Sequence, residues 1–106
     1  MKIGRYIHSL VKQIRECADR TERIALQLKL DYARAYAKGT LSRYRDLAIE
    51  REIGKTYSEG AQIAILFNKD AHPEEYEAYQ AFRAECKAKV DSEMANLAAD
   101  IQSALK

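Results

Sequence analysis

At 106 residues the chain has room for one domain, residues 1–106, and one modest core. A hydrophobic content of 47% excludes a disordered chain, and one proline with four glycines makes long helices the default. The net charge of +2 hides an asymmetry: residues 1–57 hold thirteen Lys/Arg against seven Asp/Glu, and residues 58–106 hold five against nine. Such a split suits either a basic half packed beside an acidic one or a basic half facing a polyanion.

Ile3, Ile7, Leu10, Ile14, Cys17, Thr21, Ile24 and Leu28 alternate by three and four residues, the spacing of an apolar helical seam. Lys12, Gln13, Arg15, Glu16, Asp19, Arg20, Glu22 and Arg23 lie between them as a solvated face. The pattern predicts one first helix over residues 2–38, roughly 50 Å long at 1.5 Å per residue. Its stop is Lys38-Gly39, a C-terminal cation followed by a glycine. Thr40 or Ser42 then caps a second helix over residues 41–67. Gly54 and Gly60 lie inside it, each about 1 kcal/mol worse than alanine in a helix interior. The expectation is one bent helix, with a break at Gly54–Ser58 capped by Ser58 as the alternative; the glycines could also admit a close helix crossing.

His72-Pro73-Glu74-Glu75 marks the start of a third helix over residues 73–105, because proline and carboxylates both suit a first helical turn. Asp70 or His72 caps it. Tyr79, Phe82, Cys86, Val90, Met94, Leu97, Ile101 and Leu105 form its apolar face. Short connections between long helices imply antiparallel neighbours. The predicted fold is therefore all-α, an antiparallel three-helix bundle with a long first helix and a second helix bent or split near Gly54–Gly60. Tyr6, Phe67, Tyr76, Tyr79 and Phe82 would plug one end, where Lys2 and Arg5 meet Asp70, Glu74, Glu75 and Glu77.

Catalytic and metal chemistry find no pattern. His8 and His72 are far apart and outside any ExxH or HExxH motif, so neither a metal nor another cofactor is expected. Cys17 and Cys86 fall on apolar seams without CxxC spacing and read as buried reduced thiols. The serines lack a glycine elbow, and Gly54-Lys55-Thr56 lacks the earlier glycine and strand of a phosphate-binding loop. The carboxylates read as solvated. No enzyme is predicted.

Residues 31–46 carry most of the functional content. They interleave Tyr32, Tyr36 and Tyr44 with Arg34, Lys38, Arg43 and Arg45. Tyrosine and arginine are enriched at protein interfaces, and they can also stack on bases and fork onto phosphates. The same residues could simply close the bundle end with arginines reaching outward.

The sequence therefore reads as a small non-enzymatic interaction module or adaptor whose partner is a protein, with self-association as a homodimer to bury the surplus first-helix seam. A nucleic-acid-associated protein using the basic half is the alternative, without a helix-turn-helix or RNA-binding signature to support it. The apolar run Ile63 to Phe67 is far below the ~20 residues of a membrane helix, and charges arrive too early for a signal peptide. No membrane partner and a cytoplasmic location are expected.

Overall fold

The computed structural model describes residues 2–106 and is all-helical over them, with no strand among the described residues. Five helices follow in order: α1 Lys2–Glu16, α2 Arg20–Lys38, α3 Leu41–Gly54, α4 Glu59–Phe67 and α5 Pro73–Leu105. None is long and apolar enough to cross a membrane.

The long first helix of the sequence reading is two helices. The chain breaks at 17–19, and Asp19 takes an extended conformation (φ −79°, ψ 121°) in which its carboxylate accepts from the Thr21 N–H. Its backbone carbonyl also receives the Arg23 N–H at 2.9 Å, opening α2. An aspartate bonded to its own downstream backbone offers the chain a turn in place of another helical residue. Asp19 with Glu22 three positions on is the capping-box spacing, placed before the apolar residues of α2. The three-four apolar spacing continues across this signal unchanged. Instead of one rod, α1 and α2 pack on each other.

The break also changes which residues are inside. Along α1 the predicted seam holds, with Ile3 and Leu10 buried and Ile7 and Ile14 half-buried. Beyond Asp19 it fails: Thr21, Ile24 and Leu28 are exposed, and Leu26, Leu30 and Ala33 are buried in their place. A new helix begins with a new phase, so the 3-4 count cannot be carried through a cap.

The chain forms two compact units, one from the residues up to Tyr44 with Glu93–Lys106, the other from Arg45–Ser92. In the first, Ile3 and Leu10 of α1 pack with Leu26, Leu30, Tyr32 and Ala33 of α2 and Ile101 of α5. Tyr6, Val11, Leu41, Tyr44, Met94, Leu97 and Leu105 line the margin of that core. The Lys2 ammonium donates to the Leu105 carbonyl at 2.9 Å. The start of α1 is thus beside the end of α5 within the first unit, where the expectation paired Lys2 with Asp70, Glu74, Glu75 and Glu77.

In the second unit the buried side chains are Ile49 and Ile53 of α3, Ile65 of α4, and Tyr79, Cys86 and Val90 of α5. The predicted second helix is split, not bent. Ser58 Oγ accepts from the Ala61 N–H at 3.1 Å and starts α4. A Cβ on Gly54 or Gly60 would meet no atom within 4 Å among the described residues, so neither glycine serves a close helix crossing there.

The predicted third helix holds from end to end, and all eight residues of its apolar face are buried or half-buried. Its start is organised by His72, whose carbonyl accepts from the Tyr76 N–H at 3.3 Å. The aromatic plug has a different membership. Tyr57 packs edge-on to Tyr79 at 5.1 Å and tilted against Phe82 at 5.3 Å. Tyr6 belongs to the first unit's core margin, and Phe67 is 86% exposed.

Candidate interaction surfaces

The Arg/Tyr stretch lies on the end of α2, the turn after it and the start of α3. Gly39 makes the turn possible: at φ 72° it occupies the left-handed region that glycine alone enters freely. The Thr40 N–H bonds the Ala35 carbonyl at 2.9 Å, and the Thr40 carbonyl receives the Tyr44 N–H at 3.0 Å. Thr40 therefore stands at the start of α3, but its hydroxyl turns back to Ala35.

Sequence interleaving becomes separation around the helix. At about 100° per residue, positions 34 and 38 share one side of α2 while 32 and 36 lie on nearly the opposite side. Tyr32 is buried and meets Tyr44 edge-on, with ring centroids 5.5 Å apart and planes at 86°. Burial, then the neighbouring Tyr36, raise the Tyr32 phenol above its ordinary value. Tyr32 belongs to the first unit's core and Tyr44 packs at its margin. One turn on, Tyr36 is 38% exposed. Arg34, Lys38 and Arg43 are exposed. On the same helix Ile24 and Leu28, one turn apart, are exposed as well.

Arg45 has a structural partner in the second unit. Its Nε donates to Asp91 Oδ1 at 2.7 Å and its Nη2 to Oδ2 at 3.2 Å, a fork-to-fork pair. That pairing holds the Asp91 carboxyl below its ordinary value and the guanidinium above its own. Of the seven candidate residues, then, Tyr32 and Tyr44 are engaged by each other and Arg45 by Asp91. Arg34, Tyr36, Lys38 and Arg43 face solvent.

The second unit carries two further features. Glu52 accepts from Lys55 at 2.7 Å and from Lys89 at 3.1 Å. The Lys55 bond is the main cause of its lowered carboxyl pKa. A groove of about 570 Å³ runs between α3, α4 and α5, with Ile49, Ile53, Leu66 and Tyr79 beside Arg83 and Lys87. The Tyr79 hydroxyl donates to Gln62 Oε1 at 2.6 Å, and the Arg83 guanidinium lies over the Tyr79 ring at 5.8 Å. Arg83 Nε is buried without a hydrogen-bond partner among the described residues.

His8 and His72 are exposed, and no group of three or more His, Cys, Asp or Glu among the described residues is placed to hold a metal ion. Cys86 is buried and Cys17 half-buried, both as free thiols. Burial is the first cause of the raised Cys86 pKa.

The surface the sequence reading missed is on α4. Its sequence, EGAQIAILF, is apolar almost all round, yet only Ile65 is buried. Ile63 is 49% exposed, Leu66 46% and Phe67 86%. A helix apolar on every side is ordinarily enclosed. The run Ile63 to Phe67, too short to span a membrane, carries that signal, and Phe67 stands outside the plug in which it was expected. Compared with protein-family models, with curated proteins and with solved structures, the chain matches none.

Proposed function

We propose that this chain is a non-enzymatic helical interaction module that engages a protein partner through α2 and the α2–α3 turn. One observation carries the reading: Ile24, Leu28 and Tyr36 of a single helix are exposed, with the cations Arg34 and Lys38 on that same helix. Apolar side chains one turn apart, flanked by arginine and tyrosine, are what a helix offers to another helix or to a groove. Arg43, one turn of chain beyond Gly39, adds a cation to the same end of the helix pair.

A photo-crosslinking residue at position 28 tests this in extract of the native host. A single dominant protein adduct, lost when Ile24 is changed to Glu and absent for the same group placed at exposed Glu93, supports the reading. Adducts no different from those at position 93 would sink it.

Nucleic acid is the second reading, favoured by the exposure of Arg34, Lys38 and Arg43. Binding of a labelled duplex should then weaken with salt at a logarithmic slope of about −0.9 per phosphate contact. Arg34→Glu with Arg43→Glu should abolish it. Arg45→Glu is unsuited to this purpose because it also breaks the fork with Asp91.

A further inference from the structure

We propose that α4 is a self-association surface, on which a second copy of this chain lays its own α4 antiparallel. The proposal goes beyond the reading above, since it uses another helix and another partner.

Gly60, Ile63, Ala64 and Phe67 follow at spacings of three, one and three, the seam positions of a helix–helix contact. All four are exposed. Ile65, about 200° round from Ile63, is the residue that anchors α4 to its own unit. The anchored face and the free face are therefore opposite each other.

The free face is complementary to itself. An antiparallel pair with its two-fold between Ile63 and Ala64 sets Gly60 opposite the second copy's Phe67, and Ile63 opposite the second copy's Ala64. Each pairing matches a large side chain with a small one, the condition for two helices to interdigitate closely. Gly60 gains a physical reason here. It stands in the first turn of α4, and a Cβ there would meet no atom within 4 Å among the described residues. Opposite a phenyl ring, the missing Cβ is a seat.

Charge agrees with the same register. Glu59 opens α4 and Lys69 follows its end, so the antiparallel pair brings each Glu59 to within one residue of the second copy's Lys69. Two symmetry-related ion pairs then flank the apolar strip, and parallel pairing would instead set like charges together. A nine-residue helix offers less than the ~800 Å² per partner of a standard interface, so the dimer is weak and concentration-dependent.

Sedimentation equilibrium of the full chain from about 10 µM to about 1 mM spans the affinities of such an interface. The average mass should climb from 12.1 kDa toward twice that value. Phe67→Glu should hold it at 12.1 kDa throughout with an unchanged helical circular dichroism spectrum, because the ring is 86% exposed and supports no core. Glu59→Lys should weaken association about tenfold through its two symmetric pairs, and adding Lys69→Glu should restore it. A wild-type mass fixed at 12.1 kDa, or a Phe67→Glu chain that associates like wild type, overturns the proposal. Loss in Glu59→Lys without rescue by the exchanged charges overturns the antiparallel register on which it stands. None of these outcomes touches the α2 reading, whose residues are elsewhere.

Discussion

The α1–α2 hairpin and helix α4 show two ways of distributing apolar side chains. In the hairpin, Leu10 of α1 and Leu26 and Leu30 of α2 share one core with Ile101 of α5 and are nearly inaccessible, while Ile24 and Leu28 stay outside it. In α4 the apolar residues are more concentrated, but only Ile65 is enclosed and Phe67 stands in solvent. Hydrophobic content alone therefore does not say which residues hold a fold together. Phase relative to the neighbouring helix does. An apolar residue out of phase with its own core is available to another surface.

Truncation should separate the two regions sharply. Leu30→Ala removes a residue that is 4% exposed and touches the centre of the first unit. It should cost about 2–5 kcal/mol, read as a lower urea midpoint with an unchanged slope. Phe67→Ala, measured at dilute protein, should lie within about 0.5 kcal/mol of wild type despite removing the larger side chain. Equal losses at the two positions would mean that Phe67 supports the fold as Leu30 does.

The two helix starts that divide the predicted rods give a smaller effect. Asp19→Ala removes the carboxylate that accepts from Thr21, and Ser58→Ala removes the hydroxyl that accepts from Ala61. Each should lower stability by about 1 kcal/mol. Asp19 has the more informative outcome, because its loss also frees the chain to continue α1 through 17–19. If the Asp19→Ala chain keeps wild-type stability, the cap is not what turns α1 back on α2.

These starts mark the limit of what the sequence made legible. Period and composition identified helices everywhere, placed α5 between Pro73 and Leu105, and ordered its buried face correctly. They did so because α5 runs uninterrupted for 33 residues with one phase. Residues 3–28 carry an equally clean period, but Asp19 interrupts it with a single hydrogen-bonding side chain that leaves the spacing intact. Ile24 and Leu28 continue the numerical pattern while facing solvent. At the Arg/Tyr end the composition was legible and the distribution around the helix was not. Tyr32 went inward, Arg45 found Asp91, and only the geometry of α2 and α3 separates those from Arg34, Tyr36, Lys38 and Arg43. Phe67 was assigned to a plug on hydropathy, which carries no information about which side of a short helix is covered.

The smallest predicted effect concerns polar groups in the second unit. Glu52 has its carboxyl pKa lowered from an ordinary value of 4.5, first by its bond to Lys55 and also by Lys89. A carboxyl whose pKa is lower folded than unfolded stabilises the fold above the unfolded pKa. That contribution disappears as pH falls through the folded one. Both lysines are more than half exposed, so screening leaves the pairing worth a few tenths of a kcal/mol. Glu52→Gln should accordingly be slightly less stable than wild type at pH 7 and indistinguishable from it in acid below both the unfolded and the folded carboxyl pKa, as read from paired urea midpoints. Asp91 follows the same sign through Arg45, so Asp91→Asn should also converge with wild type in acid. Leu30→Ala contains no titrating group and should keep its full deficit at both pH values. A Glu52→Gln deficit that persists unchanged in acid would mean that its side chain stabilises the second unit by packing, as Leu30 does the first, and not by charge.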